Sequence, residues 1–429
     1  EKSNEINKIV SDYSSSLEGR DKDDFDQKLY NGMNEFVQEL REEREKTVIH
    51  KIGVDEEEIE YITEGEVKGS VLNQFSMDEN EGYFRIATTS GESWNGNSKN
   101  NIYVLNENLN LVGEIENLAP GERIYSARFI EDRVYLVTFR QIDPFYVIDL
   151  SEANEPKVLG YLKIPGYSDY LHAYDENHII GIGKETVEIS NNGRDFVSPQ
   201  GLKIAIFDVR DVANPKESAK IVIGDKGTDS NALYDHKAFL FDKSRNLMVL
   251  PINLAKIKEN QYNSENPQWA YGEVVWQGAY IFDIKENEIK VKGQVTHFDD
   301  IKKYGSASEE PIGAKREGHS GEIWTKVAED KWETDRVGLY EQDSDIATRS
   351  YYGYYENIWS NEMIDSLPGG INNNPFYDYK YQVQRSLYIG DNLYTLSPAK
   401  IKANSLVDNK EISEIELPFE ENYYGGILY

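Results

Sequence analysis

Cysteine is absent from all 429 residues. That excludes disulfide staples, thiolate metal centres and cysteine nucleophiles, and it leaves the compartment open. Histidine is scarce, at six residues, and none stands in an HExxH or HxH pattern. Zinc-hydrolase motifs are therefore missing. GxSxG and the SxxK set with its companions are missing as well. No run of about 20 apolar residues exists that would span a bilayer as a helix. Basic residues are outnumbered, 46 Lys and Arg against 77 Asp and Glu, for a net charge of −31. So acidic a surface repels phosphate, so nucleic acid is not an expected partner. It suits cations, basic partners or plain solubility. The opening EKSNEINKIVSDYSSS is polar, lacks an initiator Met and carries no signal-peptide pattern, as in a processed or trimmed chain.

What is present is repetition. Between residues 70 and 417 a four-strand unit returns every ~40 to 60 residues. The clearest copy is Tyr125–Pro165, YSARFI-EDR-VYLVTF followed by DPFYVIDL-SEANEPK-VLGYLKIP. Its first turn recurs as MDENEG, YDENH, FDKSRN and IGDN, and its second as NENLN, RDVANP, KENEI and VDNKE. Asp and Asn suit such turns because they tolerate left-handed backbone and bond their own main chain. The pattern predicts an all-β fold, a β-propeller of about six to seven four-stranded blades. Five units are complete. Thr47–Val54 and Glu58–Glu66 read as the outer half of a further blade. The strand-like Tyr423–Tyr429 is expected beside them as an inner strand.

Two domains follow: an N-terminal segment, 1–46, and the propeller, 47–429. In the first, residues 1–21 read as loosely held. Residues 22–46 read as an amphipathic helix with Phe25, Leu29, Met33, Phe36, Val37 and Leu40 on one stripe. That stripe is expected to dock on the main domain. In the second, Asn191–Gln200 and Asn253–Gly278 read as long loops. Residues 299–383 break the period altogether as a Tyr-rich insertion, and such a stretch in a compact domain is commonly functional.

Several long stretches resemble a known family: EGEVKGSVLNQFSMDENEGYFRIATT (64–89), APGERIYSARFIEDRVYLVTF (119–139), LGYLKIPGYSDYLHAYDENHIIGIG (159–183), GLKIAIFDVRDVANPKE (201–217) and RSLYIGDNLYTLS (385–397). The resemblance is to the secreted β-propeller domain proteins of archaea and some bacteria, distantly similar to WD40 repeats. It implies a propeller and an extracellular or cell-surface location. It implies no reaction and no catalytic residues. Members of that family begin well upstream of the equivalent of Glu1, and the upstream part, or another chain, is expected to complete the first blade. The Tyr-rich stretch lies outside the matching segments.

Propeller folds host many functions, so function must come from sites. His172 and His236 fall on expected innermost strands, near Arg128, Asp235, Lys237 and Arg385. These six are candidates to line a central channel, where they hold a ligand or simply satisfy one another. Calcium is the most suitable ion, because its oxygen ligands occur in turns at Asp78 and Asp175 and in the insertion at Asp343 and Asp345. Each of these is also an ordinary turn residue, and no EF-hand pattern is present. Tyr351, Tyr352, Tyr354, Tyr355, Trp359, Tyr377 and Tyr379 are candidates for a protein or glycan surface, since ring faces beside polar tips suit both. The function expected is a non-catalytic extracellular or cell-surface binding or scaffold module for protein or glycan. Two alternatives stand beside it: a glycan-active hydrolase or lyase with a channel-mouth site, and a subunit of a larger surface assembly.

Overall fold

The computed structural model describes residues 2–55, 57–93, 96–139, 143–191, 194–258, 261, 270–298, 324–325 and 374–419. Two compact units emerge. One is Glu1–Ile124 with Ser151–Pro156, and the other is Tyr125–Leu150 with Lys157–Tyr429. The candidates at Tyr351, Tyr352, Tyr354, Tyr355, Trp359, Asp343 and Asp345, and the strand-like Tyr423–Tyr429, lie outside the described residues.

The first unit opens with α1 (Lys2–Ser16) and α2 (Gly19–Arg44). Residues 1–21, expected to be loose, are thus largely helical. Tyr13 of α1 packs edge-on against Phe25 of α2 at 4.9 Å, and the Ser14 hydroxyl donates to Asp26 at 2.7 Å. The docking expected for the α2 stripe does not extend along it: Met33, Phe36, Val37 and Leu40 remain exposed. α1 meets only the start of α2, which leaves the later turns uncovered. A two-stranded sheet follows, β1 (Lys46–Asp55) and β2 (Glu58–Lys68), as the half-blade pattern predicts. The first full blade comprises β3 (Ser70–Val71), β4 (Met77–Asn80), β5 (Tyr83–Ser90), β6 (Lys99–Leu105) and β7 (Leu111–Leu118). Its innermost strand is split. Asn73 accepts from the Phe75 N–H at 2.9 Å and caps a 3-10 turn at Gln74–Ser76, so pairing resumes only at Met77 rather than at Leu72.

Four further sheets follow in chain order. They are β8 (Arg123–Ile130), β9 (Arg133–Phe139), β10 (Asp143–Asp149) and β11 (Lys157–Ile164); then β12 (Tyr167–Asp175), β13 (His178–Asn191), β14 (Arg194–Asp208) and β15 (Lys216–Ile223). Next come β16 (Leu240–Asp242), β17 (Leu247–Lys256), β18 (Glu273–Lys285) and β19 (Glu288–Val295), with β20 (Trp324–Thr325) set against β15. Last are β21 (Arg385–Ile389), β22 (Asn392–Ser397), β23 (Lys400–Ser405) and β24 (Glu411–Glu416). All pairings are antiparallel, and apart from β3–β5 and β15–β20 they join chain neighbours in a meander. Three expected features change. The loop expected at Asn253–Gly278 is shorter, since β17 runs to Lys256 and β18 starts at Glu273. Arg194–Gln200 is not a loop: β13 and β14 pair out to Asn191 and Arg194, with Val187, Ile189 and Phe196 on one face of the ladder. His236 and Lys237 are not on a strand. Asp235 caps a 3-10 turn at His236–Ala238, and β16 starts only at Leu240.

The middle strands β9, β17 and β18 are buried on both faces, which is why β17, LMVLPINLAK, reads as a nearly unbroken apolar run. Tyr135, Val137, Phe145 and Val147 of the β8–β11 sheet pack against Leu171, Ile179, Ala205 and Phe207 of the next, with Phe145 stacked on Phe207 at 4.5 Å. Leu247, Val249, Ala279 and Ile281 pack likewise against Val383, Leu393 and Leu406.

The outermost strands share a defect that the repeat conceals in sequence. Each carries one unpaired bulge residue: Ile62, Val112, Leu159, Ser218, Lys292 and Ile412. In the five complete sheets a Gly, Ala or Ser follows the bulge. A turn presses onto that spot. A Cβ on Gly113 would lie 2.1 Å from the Ala153 carbonyl oxygen, and one on Gly160 would lie 2.3 Å from that of Val212. One on Gly293 would meet the Asn409 side chain at 2.3 Å. On β15 Ala219 takes the glycine's place, and the bulge residue Ser218 donates to the Glu286 carbonyl at 2.6 Å. On β2, Gly65 is approached in the same way by the Leu109 carbonyl, at 2.7 Å from an added Cβ. That identifies β1 and β2 as the outer pair of a blade. Gly160→Ala is expected to cost about 1–3 kcal/mol in chemical denaturation, because backbone cannot move aside as a side chain can. A variant as stable as the parent chain would contradict the joint.

Candidate functional site

In an antiparallel sheet of four strands, the first and third turns leave from one end and the remaining connections from the other. The second unit treats these ends differently. At the first end the turns are short and locked. The amides of Leu150, Val209, Ile284 and Leu406, each closing a third strand, donate to carbonyls of the first turn at Asp132, Asn177, Asn246 and Asp391, over 2.8–2.9 Å. Asp175, Asp208, Asp211 and Asp242 add bonds to amides two residues on. We call this the locked end.

The opposite, open end carries every long connection of the second unit. The stretch after β15 is stitched to β17: Asp225 accepts from the Ile257 amide at 2.9 Å, and Ser230 donates to the Pro251 carbonyl at 2.6 Å. The chain returning at Asn374 is held equally firmly. Gln277 gives Val383 both a donor and an acceptor, at 2.8 and 2.9 Å, in imitation of a neighbouring strand. Asn374 donates to the Val274 carbonyl at 2.7 Å, and Phe376 packs on Phe298 at 5.3 Å. Phe298 and Asn374, the described residues that flank 299–373, therefore lie close to one place on the sheet.

These anchored connections present tyrosines. Tyr234 is 77% exposed, Tyr271 62%, Tyr379 60% and Tyr377 43%. The Tyr271 ring lies over Gly227, where a Cβ would approach it to 2.8 Å. Partial burial, with Asp229, Asp169 and Tyr271 nearby, pushes the Tyr234 hydroxyl up to about 12. Partial burial, Tyr271 and Glu273 raise Tyr377. The sequence reading finds Tyr377 and Tyr379 but misses Tyr234 and Tyr271. Their signal is their position, in NALYDH and QWAYGEV, beside the two stretches where the strand period lapses.

The six channel candidates separate into smaller groups. His172 on β12 is half-buried among Tyr170, Phe239 and Phe241, with ring centroids 4.8–6.1 Å away, and its Nδ1 lies 3.1 Å from the Tyr170 hydroxyl. Burial, and then the Arg128 guanidinium, bring it down to about 4, so it is neutral at pH 7. Asp235 instead pairs with Arg385 at 3.2 Å, both half-exposed. His236 and Lys237 sit on the turn that Asp235 caps.

A family profile described as Beta propeller domain matches residues 13–320 and 344–409. The chain belongs to the β-propeller domain family. The profile runs through 299–320 and 344–383, so most of the Tyr-rich stretch is family sequence and not an addition particular to this chain. An uncharacterized protein of Methanocaldococcus jannaschii is 39% identical over 289 residues, spanning 67% of this chain and 40% of that protein. An uncharacterized protein of Archaeoglobus fulgidus is 39% identical over 227 residues, spanning 53% and 33%. This chain thus matches well under half the length of either relative. Among solved structures it is similar to the C-terminal WD40 domain of Sif2, at TM-score 0.32 and 8% identity, covering 88% of this chain and 68% of that one. Sqt1 of Saccharomyces cerevisiae matches at TM-score 0.29 and 7% identity, covering 86% and 79%.

Two of the calcium candidates can be located in the propeller. Asp78 is gripped by Arg85 through both oxygens, at 2.8 and 2.5 Å, which leaves it a poor cation ligand. Asp175 lies within ligand reach of His178 and Glu286. Its carboxylate already takes the Lys243 ammonium and the His178 ring, each at 2.8 Å, and is held at about 2 by those partners against the cost of burial. Histidine is not a calcium ligand type, so this group does not fit the ion expected. Buried polar clusters also escape the sequence reading. Lys203 pairs with Glu217 at 3.1 Å and Lys220 with Glu185 at 2.8 Å, with only Lys220 substantially exposed. His297 is fully buried and bonds both Ser397 and Thr395 at 2.8 Å. All these groups are matched to partners within the fold, as buried polar groups must be.

His172 makes a pH prediction for the propeller. Its folded value of about 4 lies below the ordinary 6.5. Between those limits the unfolded chain takes up a proton that the folded chain refuses, so stability falls as pH drops through that window. Thermal melts between pH 7 and 4.5 should show a larger loss for the parent than for His172→Gln. Parallel losses would contradict the assignment.

Proposed function

We propose that this chain is a non-catalytic binding module that engages its ligand through the open end of the second unit. The observation that carries the reading is the set of exposed tyrosines on connections stitched to the strands beneath them. Binding residues are commonly carried on loops that a rigid scaffold positions. A rigid aromatic platform also loses little side-chain entropy when it is covered. The acidic surface and the family resemblance support an extracellular or cell-surface setting, with a protein or glycan as partner.

The catalytic alternative finds less support. His172 is neutral, embedded in aromatic rings and bonded to a tyrosine hydroxyl, and Asp235 is committed to Arg385. A convergent acid, base and nucleophile would be needed for chemistry.

Hydroxyl-radical footprinting tests the proposal without naming the ligand. The protein is labelled alone and with a surface extract of its source cells. Tyr234, Tyr271 and Tyr377 should gain protection, while Tyr161, exposed on the outermost strand β11, should not. Protection confined to β11 or to the locked end would refute the binding face. Turnover of a surface polymer that His172→Gln abolishes would favour the enzyme instead.

A further inference from the structure

The ligand class can be narrowed if the open end is the binding face, a reading on which this inference rests. We infer that the Tyr234–Tyr271–Tyr377 platform recognises a neutral, polyhydroxylated ligand, a glycan without charged groups.

Three observations point there. The first is the composition of the surface. Between Gly224 and Gln384, every exposed large apolar residue described is a tyrosine: Tyr234, Tyr271, Tyr377 and Tyr379. Among the described residues of that stretch no exposed Leu, Ile, Val, Met or Phe accompanies them. Interfaces between proteins are enriched in Phe, Trp, Met and Arg as well as Tyr. Rings with polar tips and no aliphatic surround match the C–H faces and hydroxyl rims of a sugar, which need stacking and hydrogen bonds side by side.

The second is charge. In a chain of net charge −31, the carboxylates beside these rings are largely countered. Asp229 is paired with Lys184 at 2.8 Å and Glu273 with Lys258 at 3.2 Å. Of the three carboxylates acting on Tyr234 and Tyr377, two, Asp229 and Glu273, are thus held by lysines. A cationic ligand would gain little from carboxylates already answered by lysines. An anionic polymer would meet an acidic protein. What survives both tests is a neutral ligand.

The third is the hydrogen-bonding capacity. Tyr234 and Tyr377 both hold their phenolic protons more tightly than usual, so each is a neutral donor and acceptor at any physiological pH. A carboxylate that shares its charge with a lysine still accepts hydroxyl hydrogens, and the ammonium beside it donates to ring or hydroxyl oxygens. Alternating acceptors and donors next to ring faces suit vicinal hydroxyls.

Native affinity electrophoresis provides the test, since the acidic chain migrates readily. Gels are cast with mannan, laminarin or dextran as neutral probes, and with heparin or chitosan as charged ones. At least one neutral polymer should retard the protein. Tyr234→Ala/Tyr271→Ala should weaken that retardation at least tenfold, Tyr234→Phe/Tyr271→Phe should keep most of it, and Tyr161→Ala should leave it unchanged. Melting curves check that the variants fold. The inference fails if no neutral polymer retards the protein, if only heparin or chitosan does, or if the alanine double variant binds as the parent does. Footprint protection at the open end without neutral-polymer binding would retire the glycan and leave the binding face standing.

Discussion

A backbone carbonyl pressed against a glycine, just after a bulge, is the contact on which the order of the sheets depends. Val212 meets Gly160 in this way, Ala153 meets Gly113, and on β15 the bulge residue itself, Ser218, bonds the carbonyl of Glu286. The geometry tolerates no side chain at the glycines and no change in the length of the incoming turn. Its partner interaction is the amide lock from Leu150, Val209, Ile284 and Leu406 to the carbonyls of the neighbouring turn. Together they commit one end of every complete sheet in the second unit to structure. Variation in loop length is then admissible only at the other end, and that is where it is found.

The same constraint explains what could be read from residues alone. Asx-rich turns such as EDR and DVANP recur because the locked end repeats, so the four-strand unit and the five complete sheets follow from sequence. The half-blade at β1 and β2 is legible too, although its proof lies in Gly65 and the Ile62 bulge. Errors gather where tertiary contacts override local pattern. Asn73 and Asp235 cap 3-10 turns where strands are expected, and the ladder from Thr186 to Asn191 extends through a polar stretch that looks like a loop.

The candidate site was only partly visible, for a related reason. His172 and Arg128 do fall together, and Asp235 reaches Arg385. Tyr234 and Tyr271 stand far apart in sequence and come together only because the stretches after β15 and before β18 are sewn to the same strand. Gln277, which no motif marks, is what returns the chain to that place at Val383. The sequence displays aromatic content. The stitching that turns it into a platform is a property of the fold.

A rigid end that repeats and a second, anchored end that varies make a scaffold for recognition, and rigidity on one side is what gives the other its fixed geometry. Residue-resolved amide hydrogen exchange addresses that division directly. The amides of Leu150, Val209, Ile284 and Leu406 should be among the slowest to exchange, while solvent-facing amides around Tyr234 and Tyr379 should exchange orders of magnitude faster. Fast exchange at the four locked amides, or equal protection at both ends, would contradict the account.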